Sequence, residues 1–350
     1  MVAKGMETKV KSLLGNWLRF ALKFGIAAAV VIWLVWSNSG QIIKSFRTFN
    51  YWWLIPAFFF YALHIAVAAW RWRVLAGVLG VKMSGMEAFS LTMQGYFFSL
   101  VIPGGAVGGD VIKMTAVSRR LQSGSRTEGA FSVLMDRIVG MLALFIPVLL
   151  MIYPAKKLLY IPELPEYLNG TVLAWLIAAV CLAGSAAGIA VFFHRTFEMI
   201  PGVKPLLDFL DKSTGGMVNR VLGATDVYGG NWQTLVKMVL ASVPGVHLLT
   251  VVPMYFLLAG TGSSCDWFTV LAALMIGNLV GLIPLFPGGI GGRDVTVIAL
   301  LVAGGVTAGN AETAQLLYTG VMMLCYMAGG MFFVFDPGRK LKSAGEMSDE

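Results

Sequence analysis

"PGGAVGGD" at residues 103–110 and "PGGIGGRD" at residues 287–294 are near copies, 184 positions apart. Five of the eight positions are identical: the Pro, the two Gly after it, Gly108 with Gly292, and Asp110 with Asp294. Each octapeptide closes an apolar run, about 87–102 for the first and 268–286 for the second. Gly and Pro stop helices, so each run reads as a helix broken within apolar surroundings. Such a break is tolerated at membrane depth only where protein or water covers the freed backbone groups.

The rest of the chain supplies those surroundings. Of its 350 residues, 57% are hydrophobic and 13% charged, and the mean hydropathy is +0.77; soluble domains carry about 25% charged residues. Further apolar runs lie at 18–37, 51–70, 129–153, 171–193, 234–259 and 314–335, and about 20 residues cross a bilayer core. The predicted fold is all-α: a single polytopic membrane domain with about six full transmembrane helices plus two re-entrant broken segments. Residues 18–37 follow a lysine-bearing start, but the run is long enough to span and "SNSG" is a poor cleavage site, so it reads as a retained first helix.

The 184-residue offset carries 51–70 onto 235–254, 87–102 onto 271–286, and 129–153 onto 313–337. Repeat one therefore covers 51–153 and repeat two 234–335, joined by a connecting helix at 171–193. That extra crossing turns the second repeat over, which predicts an inverted-topology repeat of the kind transporters use. Residues 194–233 read as a cytoplasmic loop with an interfacial helix at about 204–222. Gly184 and Gly188 predict close helix packing in the connecting helix.

With both broken segments returning to their own side, one set of loops holds seventeen Lys and Arg and the other holds four. Basic residues mark the cytoplasmic side, so both termini, including the tail 336–350, are expected in the cytoplasm. The net charge of +8 is thereby explained by orientation in the membrane, with no nucleic-acid partner. Trp33, Trp36, Tyr51, Trp52 and Trp53 are expected at the outer interface, and Trp70 and Trp72 at the inner one.

Charges within apolar segments are costly and mark functional or paired groups. The candidates for binding a substrate are the first corner with its Lys (Pro103, Gly104, Gly105, Gly108, Gly109, Asp110 and Lys113), the Asp136–Arg137 pair, and the second corner (Pro287, Gly288, Gly289, Gly291, Gly292, Arg293 and Asp294). Backbone N–H groups at a helix start bind anions, and helices are expected to begin after Gly109 and Gly292. Arg137, Arg293 and Lys113 could line a watery pocket for a lipid phosphate, with Asp110 and Asp294 pairing with them or binding a cationic headgroup. Asp136 and Arg137 are adjacent and do not share a helical face, so each needs another partner. Arg71 and Arg73 read as snorkelling anchors, and His64 and His247 as hydrogen-bonded packing residues.

The runs "RWRVLAGVLGVKMSGMEAF", "FFSLVIPGGAVGGDVIK", "SVLMDRIVGMLAL" and "LIPLFPGGIGGRD", in that order, resemble the lysylphosphatidylglycerol synthase transmembrane region family over roughly residues 15–335. These are flippase-like integral membrane proteins. In the full-length synthases a soluble aminoacyl-transferase domain follows, and the membrane region is thought to move the charged lipid between leaflets. The resemblance here implies the translocating half alone, in a bacterial or archaeal cytoplasmic membrane. Lys113 stands where the family more usually has Arg, and Asp294 where it more usually has Glu.

The expected function is movement of a phospholipid or polyprenyl-phosphate-linked lipid between leaflets, with a membrane lipid as substrate. A membrane-embedded transferase is the alternative, as is a non-transporting partner of a lipid- or glycan-synthesis enzyme. No Walker A motif is present, and Cys181, Cys265 and Cys325 form no metal or disulfide pattern. No enzyme activity, catalytic residue, metal or cofactor is therefore expected.

Overall fold

The computed structural model describes residues 39–102, 105–121, 126–159, 169–192, 203–213, 217–283 and 290–335. The predicted first helix at 18–37, the tail 336–350, and Pro103, Gly104, Pro287, Gly288 and Gly289 lie outside the described residues. Most of those described are helical, with no strand among them.

Among the described residues, five helical stretches are long and apolar enough to cross a membrane: Tyr51–Val78, Arg126–Met151, Gly170–Phe192, Trp232–Gly260 and Ala308–Val334. They match the runs predicted at 51–70, 129–153, 171–193, 234–259 and 314–335. In chain order, α1 is Ser39–Thr48, α2 Leu54–Val78, α3 Gly85–Val101, α4 Ala106–Arg120, α5 Arg126–Met151 and α6 Gly170–Phe192. Then come α7 Val203–Ser213, α8 Met217–Gly230, α9 Trp232–Ser242, α10 Leu249–Gly260, α11 Trp267–Gly281, α12 Gly292–Ala303 and α13 Ala308–Val334. The single interfacial helix expected at 204–222 is two helices, α7 and α8, either side of residues 214–216. A π-helical turn, Val243–Leu248, joins α9 to α10. Pro244 lies in it; proline has no N–H to give the preceding turn, and a widened turn accommodates that loss.

The packing divides into two compact units. The first takes the described residues of 39–62, 93–112 and 250–334, and the second those of 63–92, 113–249 and 335. In the first unit, α11 and α12 form an antiparallel hairpin. A Cβ on Gly277 would lie 2.5 Å from Val297 Cγ2, and one on Gly304 would collide with Thr269. α13 crosses α3 at Gly329, where a Cβ would strike the Met93 carbonyl. Small residues thus let backbones approach, and dispersion replaces the hydrophobic effect that lipid cannot supply. Polar residues tie the helix ends together: Ser45 Oγ donates to Asn310 Oδ1 at 2.6 Å, and Asn310 Nδ2 to Ser263 Oγ at 2.8 Å.

Asp266 caps α11. Its carboxylate accepts the Thr269 N–H at 2.9 Å and the Thr269 hydroxyl at 2.5 Å. These hydrogen bonds hold its pKa below the ordinary 3.8. A depressed carboxylate contributes stability above its unfolded value and loses it as pH falls through the folded one. Asp266→Ala is therefore expected to cost about 1 kcal/mol at pH 7. Thermal melts of the two proteins should converge as pH drops below about 4.

In the second unit, α6 packs on α5 through the predicted glycine pair: a Cβ on Gly184 would sit 2.7 Å from Phe145 and one on Gly188 3.2 Å from Leu142. The second half of α2 is locked to α5 and α8. Trp72 Nε1 donates to Ser132 Oγ at 3.1 Å, and Tyr228 OH donates to the Leu75 carbonyl at 2.8 Å. Trp72 is fully buried and so is a core residue, contrary to the interfacial role expected of it, whereas Trp70 and Trp52 are exposed. His247 Nε2 lies 3.0 Å from the Gly140 carbonyl, and His64 is buried.

Candidate functional site

Among the described residues, each unit holds a buried cluster of charge that includes predicted site residues. In the first, the chain leaves residues 284–289 and enters α12 through Gly291, whose φ of 97° suits glycine. Asp294 is the third residue of α12, and its Oδ2 accepts the Gly291 N–H at 3.1 Å. This places an acid in the first turn, where the helix dipole favours it.

With that carboxylate turned back toward the corner, the neighbouring Arg293 folds over it. Its Nε and Nη2 donate to Asp294 Oδ1 at 3.2 and 2.9 Å. Nη2 also donates to Thr319 Oγ1 at 3.1 Å, and Nη1 to Met322 Sδ at 3.0 Å. Asp294 Oδ1 further accepts Gln315 Nε2 at 2.6 Å and the Thr319 hydroxyl at 3.0 Å. Both charged residues are buried. Adjacent residues that would diverge in mid-helix thus pair here, at a helix start.

A row of tyrosines leads away from this pair. The Arg293 guanidinium lies 5.5 Å from the Tyr318 ring centroid, and Tyr318 meets Tyr61 edge-on at 5.6 Å. Tyr61 lies 6.5 Å from Tyr326, which stacks on Tyr96 at 4.6 Å. The row joins α12 to α3, the helix before the first corner. Sequence reasoning missed these residues. One signal was present: Gln315 and Thr319, four apart, place two polar side chains on one face of an apolar helix.

The first corner is built differently. Gly105, with φ 56°, precedes α4, which starts at Ala106. The helix thus begins before Gly109, where a start was expected only after it. Gly109 instead permits close approach, since a Cβ there would collide with the Gly95 carbonyl of α3. Relative to the 184-residue offset, the two helices start two residues out of register. Asp110 is therefore the fifth residue of α4, too deep in the helix to repeat the cap that Asp294 makes. It is partly exposed.

In the second unit, Asp136 of α5 pairs with Arg71 of α2: Arg71 Nε lies 2.7 Å from Asp136 Oδ1. Arg71 Nη1 also donates to Ser242 Oγ at 3.4 Å. Lys113 of α4 brings its Nζ to 3.8 Å from Asp136 Oδ2 and to 3.8 Å from the Trp72 ring centroid. Arg71 and Lys113 are both buried, so Arg71 is not the snorkelling anchor its position suggested. The partner that Asp136 needs is this pair of cations. Arg137 is partly buried beside them. Two cations thus share one carboxylate, and unpaired charge in this setting is costly.

Comparison with known proteins agrees with the helical architecture. A UPF0104 membrane protein of Pyrococcus horikoshii is 21% identical over 299 residues, covering 82% of this chain and 88% of its own. A UPF0104 membrane protein of Methanothermobacter thermautotrophicus is 22% identical over 307 residues, covering 83% and 87%. The family model described as the lysylphosphatidylglycerol synthase TM region matches residues 20–330. The chain is a multi-pass helical membrane protein belonging to the lysylphosphatidylglycerol synthase TM region family.

Proposed function

We propose that the protein moves a phosphate-bearing lipid, a phospholipid or a polyprenyl-phosphate-linked lipid, between leaflets. The two helical hairpins, α3–α4 and α11–α12, are the moving parts. The observation that carries this reading is their length. α3 has 17 residues, α4 and α11 have 15 each, and α12 has 12. At 1.5 Å per residue the longest reaches about 26 Å, short of the roughly 30 Å hydrocarbon core. The sequence between the two helices of each hairpin contains Pro-Gly-Gly, at 103–105 and 287–289. In this reading both are re-entrant and enter from opposite faces as an inverted repeat, with both termini in the cytoplasm. A headgroup then passes beside the buried charges instead of through hydrocarbon.

The test is purified protein in proteoliposomes carrying a fluorescent phosphatidylglycerol. Without translocation an impermeant reductant quenches about half the label, the outer leaflet; the protein is expected to carry quenching toward completion. Arg137→Ala, which removes a membrane-embedded charge, is expected to slow this about tenfold or more while the protein stays folded. Quenching no faster than in empty liposomes would refute the reading.

A further inference from the structure

A cavity in the second unit lies at the end of α4 and the start of α5. It has a volume of about 380 Å³ and is lined by Met114, Thr115, Ser118, Arg119, Arg126 and Ala130. We propose that it binds the phosphate group of an anionic ligand between the Arg119 and Arg126 guanidiniums.

Several arginines of this unit are already engaged. Arg71 is paired with Asp136, Arg73 Nε donates to the Met83 carbonyl at 2.8 Å, and Arg120 is buried within the field of Glu87. Arg119 and Arg126 are exposed and face the cavity; among the described residues, neither has an ion-pair partner. Glu128, in the same first turn as Arg126, is not among the lining residues.

Two unpaired guanidiniums on one concave surface form a recognition element for phosphate, since the planar fork donates two parallel hydrogen bonds to its oxygens. Met114 and Ala130 give the lining an apolar part, which suits a phosphate ester with an apolar body. The volume falls in the range of small-ligand sites, about 300–1,000 Å³. The assignment rests on the lipid-handling reading only for naming a lipid as the source of the phosphate. A free phosphate carries the same chemistry.

Calorimetric titration of the full-length protein in a maltoside detergent tests this, with dihexanoylphosphatidylglycerol and inorganic phosphate as separate probes. Binding of the phosphatidylglycerol, weakened about tenfold or more for each of Arg119→Gln and Arg126→Gln, supports the site with a lipid as its ligand. Binding of inorganic phosphate with the same losses supports the site with free phosphate as its ligand. Arg119→Lys and Arg126→Lys keep the charge without the fork and are expected to fall between. Lys44→Gln, an exposed cation of α1, is expected to change nothing. Wild-type protein that binds neither probe, or binding unmoved by Arg119→Gln/Arg126→Gln, overturns the proposal. Since binding is read without transport, absence of lipid movement in proteoliposomes leaves this result standing, and loss of the site leaves the hairpin reading standing.

Discussion

Asp136→Ala is expected to destabilise the protein by about 3–5 kcal/mol, because it leaves the Arg71 guanidinium and the Lys113 ammonium buried without their shared carboxylate. Losing the ion pair's own attraction is the smaller part of that cost. The larger part is two cations held out of water, beside Ser242 Oγ at 3.4 Å from Arg71 Nη1 and the Trp72 ring centroid at 3.8 Å from Lys113 Nζ. Arg71→Met should cost less, since Lys113 and Asp136 keep each other. Combining Arg71→Met, Lys113→Met and Asp136→Leu should recover most of the stability, as replacing a whole buried ionic group by apolar side chains often does. Melting in detergent, followed by tryptophan fluorescence, gives the order. If Asp136→Ala melts like wild type, the cluster does not carry charge in the folded state.

Asp294→Ala is expected to be nearly as costly. It removes the acid from the first turn of α12, worth about 0.3–1 kcal/mol, and it strands the Arg293 guanidinium with Thr319, Met322 and the Tyr318 ring but no counter-charge, the larger loss at about 3–5 kcal/mol. Arg293→Ala should be milder. Asp294 would still accept from Gly291 N, Gln315 Nε2 and the Thr319 hydroxyl. This asymmetry follows from counting donors around the carboxylate, and equal losses from the two variants would contradict it. Arg293→Met with Asp294→Leu separates structure from transport: it should fold close to wild type yet move lipid at least about tenfold more slowly, because the polar step beside the corner is gone.

Some of this was legible in the residue order. Apolar windows of about 20 residues located the five described spans, because spanning length is set by the bilayer and not by the partners of a helix. The Gly184 and Gly188 spacing announced the packing of α6 on α5. The two corners were visible as copies, but their register was not. A glycine run offers several places where a helix can start, and packing chose Ala106 in one copy and Gly292 in the other. Partners were the least legible. Arg71 and Asp136 are 65 positions apart, and Arg71 stands where a helix end would place an anchor. Trp72 beside it reads equally as belt or core. The tyrosine row was hidden for a similar reason: four tyrosines spread over three apolar helices carry no mark of mutual contact.

Lipid movement by the proposed route needs two corners that open to opposite faces of the membrane. Single Ile102→Cys and Ile290→Cys substitutions, in a background with Cys181, Cys265 and Cys325 replaced by Ser, place one thiol beside each corner. Labelling by a membrane-impermeant thiol reagent, applied separately to each face of sealed membrane vesicles, reads the opening of each directly. The expected result is modification of position 102 from the cytoplasmic face and of position 290 from the opposite face. Modification of both from the same face alone would contradict the account.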